Sequence, residues 1–319
     1  MITSVANKQI KNIIQLTKKA KERQAQHVFV AEGVRIFEEI PAGLLQAVYV
    51  SESFSAKKGH AVSELFSAQK GHAVSELFLA PKGNTEKISG IQYETVSDAV
   101  FQRMSDTKTP QGILCVARQP EYQLEDLLAP PQDENKRPSL HGQRQPFAGN
   151  QHQPLSRKQP HLLVLEGIQD PGNLGTIFRT GEGAGITGII LSGCADLFAP
   201  KTVRSTMGSI CRVPFYHTDD LCGTLSVLKQ KQVMLYAAHL KGKTYYDAFD
   251  YQGASAFLIG SEANGLTEEA AAMADAYLKI PMGGQLESLN AAMAAGILMY
   301  EANRQRRNGK GKETIADMV

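Results

Sequence analysis

Hydrophobic and polar positions recur along this chain with two periods, and each change of period marks a change of element. Ile10, Ile13 and Ile14 define one face of a first helix whose other face carries lysines. Apolar runs at His27–Ala31, Leu45–Val50, Ile91–Thr95 and Gly112–Ala117 have strand length, and helical stretches over Val34–Ile40 and Asp98–Met104 separate them. Residues 1–119 therefore predict a small α/β domain. Within it, residues 55–66 and 67–78 are a tandem duplication that differs only at Lys57 and Gln69. Two copies are too few to stack as a solenoid, so the pair reads as a surface insert. His60 and His72 repeat with it and are not read as metal ligands.

From residue 120 the pattern is lost. Pro130, Pro131, Pro138, Pro146, Pro154 and Pro160 stand among Gln, His, Asn and Arg, which predicts a linker over 120–160. At His161 the aliphatic runs return as LLVLEGI, GIILSG, VMLYAAHL and AFLIGSE, with helical stretches between them near Thr202–Gly208 and Thr267–Ala276. Continuous apolar strands separated by helices indicate a parallel sheet covered on both faces. A short strand over Tyr277–Met282 and a Gly283-Gly284 turn then lead into a long helix starting near Ser288. Ser288 is the expected N-cap, and Leu289, Met293, Ile297 and Tyr300 are its expected apolar face. Ala291, Ala292, Ala294, Ala295 and Gly296 keep the remaining surface thin enough for another backbone to approach.

Composition narrows the class. The chain has 319 residues, 42% apolar and 21% charged, which is ordinary for a protein of two globular domains. No run reaches the roughly 18 apolar residues of a membrane span, and the N-terminus lacks the features of a secretory signal, so no membrane association is expected and the cytoplasm is the expected location. Cys115, Cys194, Cys211 and Cys222 show no ligand spacing, which argues against a metal site and against a disulfide framework. The net charge is only +2, but both ends are basic: Lys8, Lys11, Lys18, Lys19, Lys21 and Arg23 at one, Arg304, Arg306, Arg307, Lys310 and Lys312 at the other. Such clusters can follow a phosphate backbone. The polar loop Ser105–Gly112, SDTKTPQG, offers hydroxyls and a lysine for the same purpose.

Three strand-end loops carry the candidate chemistry. In EGIQDPGNLGTIFR, Asn173 caps or precedes a helix that carries Thr176 and Arg179. In FLIGSEANGL, Gly260 permits a close approach, Gly265 permits a turn with positive φ, and Glu262 projects a carboxylate. The third loop is KIPMGGQLESLN. Ligands of α/β sheets bind where such loops gather. Gly183, Gly185 and Gly188 match GxGxxG, but a helix precedes them and a strand follows, the reverse of a dinucleotide-binding turn.

NLGTIFRT, IGSEANGL and IPMGGQLESLNAAMAAGIL resemble, in order, the three motifs of the SpoU-type branch of the SPOUT RNA methyltransferases, and residues 1–119 resemble that family's small substrate-binding domain. The resemblance implies an α/β fold in which a C-terminal parallel-sheet SPOUT domain over 161–307 carries a trefoil knot, with a basic tail over 308–319. It implies S-adenosylmethionine as donor, a ribose 2′-hydroxyl of structured RNA as acceptor, and a homodimer. Ribosomal RNA is the first choice of substrate and transfer RNA the second; a non-catalytic assembly factor that binds RNA is the competing reading. Carried over by motif, Gly260, Ile280, Met282 and Leu289 hold the donor with Leu258, Gly265 and Ser288 nearby, while Asn173, Arg179, Glu262 and Asn290 form the polar catalytic set. Where the family shows Ser-Leu-Asn-Val-Ser, this chain has Ser288-Leu289-Asn290-Ala291-Ala292, so a hydroxyl at position 292 is lost. Arg179 is expected to steady a developing alkoxide or grip a phosphate, because a guanidinium holds its proton far too tightly to be a good general base.

Overall fold

The computed structural model describes residues 1–57, 86–88, 91–128 and 159–308. Most of the tandem duplication, the proline-rich stretch from 129 and the basic tail lie outside those residues. The described chain divides into two compact units, one comprising Met1–Pro120 with Asp196–Cys211, the other Glu121 onward without that segment.

The first unit runs α1 (Lys8–Lys18), α2 (Ala20–Gln26), β1 (Val28–Glu32), α3 (Val34–Glu39), β2 (Leu45–Ser51), α4 (Glu52–Lys57), β3 (Glu86–Ile88), β4 (Ile91–Val96), α5 (Asp98–Met104) and β5 (Ile113–Arg118). Its strands form a mixed sheet in the order β1-β5-β2-β4-β3, in which only β2 and β4 are parallel neighbours. Asn7 caps α1 through a 2.8 Å bond from the Gln9 N–H. Ile10, Ile13 and Leu16 of α1 pack on Val28, Val30, Val100, Phe101 and Leu114. Ile14 lies at the edge of this core, and Leu16 takes the central place.

The second unit runs α6 (Leu124–Leu128), β6 (His161–Glu166), α7 (Pro171–Ala184) and β7 (Gly188–Ser192). After the excursion through α8 (Pro200–Thr206) it continues with β8 (Phe215–His217), α9 (Leu221–Gln230), β9 (Met234–Ala238), β10 (Thr244–Tyr245), β11 (Ser255–Ile259), α10 (Glu268–Ala272), β12 (Ala276–Lys279) and α11 (Ala291–Asn308). Its seven strands, in the order β10-β12-β9-β11-β6-β7-β8, are all parallel. Leu162, Val164, Ile190, Leu235, Ala237, Ala256 and Leu258 turn to one face and pack with α6, α9 and α10. Alternate residues Leu163, Leu165, Ile189 and Phe257 are equally buried and face the other side. Each such fully buried aliphatic side chain stabilises the fold by roughly 2 kcal/mol.

Several sequence expectations are corrected. The predicted linker starts too early: Leu124 and Leu127 of α6 belong to this core, and Leu127 fills the space where a Cβ on Gly188 would stand. The strand expected over Tyr277–Met282 is β12, which ends at Lys279, and the helix expected over Thr267–Ala276 ends at Ala272. The apolar face expected for the last helix is largely its outer one. Met293 is 60% exposed and Tyr300 49%, whereas Ala291, Ala292, Ala295, Leu298, Met299 and Ala302 are buried. That inner face packs against α7, where Gly181 leaves room for Ile186 and Met299, and Gly296 of α11 stands next to Thr180. The thin surface foreseen for this helix is therefore the surface that docks.

Gly183 lies in the last turn of α7, Gly185 is its left-handed C-cap at φ 74°, and Gly188 opens β7. At the far end of α11, Arg306 donates to the carbonyl oxygens of Tyr251, Gln159, Pro160 and Gly253 and to the Ser255 hydroxyl. Burial lowers its pKa to about 10. No helix among the described residues is long and apolar enough to cross a membrane.

Candidate functional site

The three candidate loops leave the carboxyl ends of β6, β11 and β12. In the first, Asp170 rather than Asn173 is the N-cap of α7: its Oδ1 accepts the Asn173 N–H at 2.8 Å, and Pro171 occupies the first helical position. Asn173 sits at the third helical position, so its side chain is not consumed by capping.

In the second, the chain turns back on itself. Gly265, at φ 69°, donates its N–H to the Ser261 carbonyl at 2.9 Å, and the Asn264 N–H reaches the Ser261 hydroxyl at 3.2 Å. A Cβ on Gly260 would lie 1.9 Å from the Gly265 carbonyl carbon and 2.1 Å from the Leu266 nitrogen. The side of Gly260 on which a Cβ would stand is thus filled by the loop's own backbone. Glu166, at the end of β6, accepts both the N–H and the hydroxyl of Thr267 at 2.9 Å, and the Thr267 oxygen caps α10. This clasp between β6 and the start of α10 went unassigned in the sequence, although a Thr followed by Glu268 and Glu269 is a helix-start signal.

In the third loop the cap is Asn290, not Ser288. Its Oδ1 accepts from the N–H groups of Ala292 at 3.0 Å and Met293 at 3.3 Å, and its carbonyl accepts the Ala294 N–H, while Ser288 is exposed two residues before the cap.

These facts bring three of the four expected catalytic residues together. Asn290 Nδ2 donates to Asn173 Oδ1 at 3.0 Å, and Asn173 Nδ2 donates to Glu262 Oε1. The relay has one sense only. The α11 cap fixes Asn290 Oδ1 as an acceptor, so its amide N–H must point at Asn173, whose own N–H must then point at an acceptor. Glu262 is that acceptor, and its Oε2 has no hydrogen-bond partner among the described residues. Arg179 stands six residues beyond Asn173 on α7, exposed, without a hydrogen-bond or ion-pair partner among the described residues. It is not part of the relay.

Of the residues expected to hold the donor, Ile280, Met282 and Leu289 are half-buried and Gly265 and Ser288 are exposed. The Leu258 side chain is fully buried in the α6/α9/α10 core, which leaves only its backbone for binding. Half-buried apolar side chains beside a polar relay suit a ligand with an apolar ring and a charged end. Among the described residues no group of three or more His, Cys, Asp or Glu side chains is arranged to hold a metal ion.

Comparison with known proteins agrees with this geometry. Residues 160–300 match the model of the SpoU rRNA methylase family, and residues 7–115 match an MRM3-like substrate-binding domain. A 23S rRNA (guanosine(2553)-2′-O)-methyltransferase of Bacillus subtilis is 32% identical over 213 residues, which cover 66% of this chain and 73% of that protein. A 23S rRNA (guanosine-2′-O-)-methyltransferase of Xylella fastidiosa is 38% identical over 149 residues, covering 46% of this chain and 60% of that protein. Among solved structures, an AdoMet-bound rRNA methyltransferase from Sinorhizobium meliloti superposes with a TM-score of 0.67 at 27% identity, over 95% of this chain and 97% of that one. An RNA 2′-O ribose methyltransferase superposes with a TM-score of 0.68 at 26% identity, over 96% and 99%. The seven-stranded parallel sheet, the substrate-binding domain before it and the likeness to the Bacillus enzyme together place the chain in the SpoU rRNA methylase family, as an RNA methyltransferase.

Proposed function

We propose that this protein transfers a methyl group from S-adenosylmethionine to a ribose 2′-hydroxyl of ribosomal RNA. The observation that carries the reading is the Glu262–Asn173–Asn290 relay, which ties the three strand-end loops into one polar site. The named relatives act on 23S rRNA, and the Sinorhizobium structure holds AdoMet, which supports both substrates.

In this reading the backbone of Leu258, Gly260 and Gly265, with Ile280, Met282, Ser288 and Leu289, holds the donor. The bound cofactor supplies an electrophilic methyl on a sulfonium. The protein's task is positioning and charge. Asn173 and Asn290 hold Glu262 in one orientation, and Oε2 is the acceptor open to the substrate hydroxyl. Arg179 stabilises the negative oxygen or anchors the neighbouring phosphate. A homodimer and a knotted chain belong to the same proposal. Exposed Leu286, Met293 and Tyr300 give α11 and the loop before it an apolar outer surface suited to a second copy.

Incubating the protein with methyl-labelled S-adenosylmethionine and rRNA from cells lacking it tests the proposal. Label on a ribose is the expected result. Tight RNA binding without transfer to any RNA would overturn it in favour of an assembly factor.

A further inference from the structure

Glu32, the last residue of β1, is only 6% exposed and has no cationic partner among the described residues. A buried carboxylate is costly unless its oxygens are satisfied. Here the donors come from one loop. The Ser105 hydroxyl reaches Oε2 at 2.6 Å, while the Thr107 hydroxyl and the Gln111 N–H reach Oε1 at 3.2 and 2.9 Å. Two of the loop's three hydroxyls, those of Ser105 and Thr107, are therefore turned inward.

Two further contacts fix the same loop. Both terminal guanidinium nitrogens of Arg204, on α8, grip Asp106, one of them at 3.1 Å. The Gln111 side chain lies against Gly33, where a Cβ would stand 2.5 Å from its Oε1. What remains outward is the tip: Lys108 and Thr109 are exposed, and Lys108 has no ion-pair partner among the described residues. A loop held in advance in this way loses little freedom on binding.

We infer that Glu32 is a positioning residue for the RNA substrate: it fastens the loop Ser105–Gly112 from within so that Lys108 and Thr109 meet the phosphate backbone. The inference rests on the RNA substrate proposed above. Lys108→Ala, a surface change, should weaken binding of unmethylated 23S rRNA about 3- to 10-fold and lower the slope of log affinity against log salt by about 1. Glu32→Ala should raise KM for RNA about 10-fold while kcat and S-adenosylmethionine affinity stay within about 2-fold. Glu32→Gln keeps an acceptor for Gln111 and should recover most of that loss, which a merely folded-state effect on stability would not follow. Parental RNA affinity and salt slope in Lys108→Ala would overturn the inference, as would a parental KM in a folded Glu32→Ala; if Glu32→Ala does not fold, the Lys108 result decides. Absence of methyl transfer by the parent protein would sink the activity reading instead, and the binding measurements would still report on the loop.

Discussion

Asn290→Asp followed by Glu262→Gln would reverse the direction of the polar relay, and the energetics of that reversal can be worked out bond by bond. Asp caps a helix as well as Asn does, so the acceptor facing Ala292 and Met293 is retained, and its charge at the start of the 18-residue α11 is mildly favourable. What is lost is the N–H directed at Asn173 Oδ1 at 3.0 Å. Asn173 then faces acceptors on both sides, and whichever way its amide turns one bond is missing. A neutral hydrogen bond contributes about 1 kcal/mol net, and because Glu262 and Asn290 are exposed the expected loss is about 0.5–1 kcal/mol. Glu262→Gln alone keeps a carbonyl for Asn173 and costs less. In the double variant the amide introduced at position 262 can turn its N–H toward Asn173 Oδ1 while Asn173 donates to the carboxylate introduced at position 290, so both bonds return with opposite sense. Urea unfolding of the four full-length proteins, followed by tyrosine fluorescence, should therefore show a favourable coupling of about 0.5–1 kcal/mol between the two sites. Methyl transfer by Asn290→Asp should fall at least about 10-fold, since Asn173 is no longer locked in the one orientation that holds Glu262. If the double variant is destabilised by the simple sum of the two single changes, the amides do not form a directional relay.

Other substitutions separate neighbouring roles. Gly260→Ala forces a Cβ into the Gly265–Leu266 backbone and should destabilise the protein by about 3 kcal/mol, whereas Gly265→Ala meets open space and should cost only about 1 kcal/mol for its positive φ; equal losses in chemical denaturation would refute the crossing. Arg179→Lys should reduce kcat about 100-fold with an unchanged Tm, because the side chain has no partner to lose among the described residues; undiminished turnover would remove any role for the guanidinium fork. Burial, and then the nearby Arg306 charge, pull the His161 pKa from 6.5 down to about 3. The unfolded chain therefore takes up a proton below about 6.5 that the folded chain refuses, and stability falls as pH drops, by about 2 kcal/mol between pH 7 and pH 5. In His161→Leu that part of the acid sensitivity should vanish from the pH profile of unfolding; a profile identical to the parent's would exclude His161 as its source.

The parallel sheet was legible because β6, β7, β9 and β11 carry unbroken apolar runs rather than an alternation, a pattern that double-sided cover explains. The three loops were legible because each couples a strand end to glycine and polar side chains. Legibility failed where the deciding partner is remote in sequence. Ser288 and Asn290 are both acceptable caps, and the path of the chain from β12 selects the second. The large side chains of α11 suggested a buried stripe, but the glycine-bearing surface of α7 admits the alanine side instead. Gly260 looked open because nothing local reveals that residues five and six positions later cross directly above it. Leu124 and Leu127 were lost beside a run of prolines, although their spacing of three is that of a helix face.

The Arg306 guanidinium has a mechanical consequence. It fastens Gln159 and Pro160, the residues that lead into β6, to the rim of the sheet from which the strands start. The relay lies at the opposite rim. A displacement of Gln159 is met at that fastening before it can reach β6, so the start of the strand keeps its place and the spacing of the reacting groups at its far end is preserved.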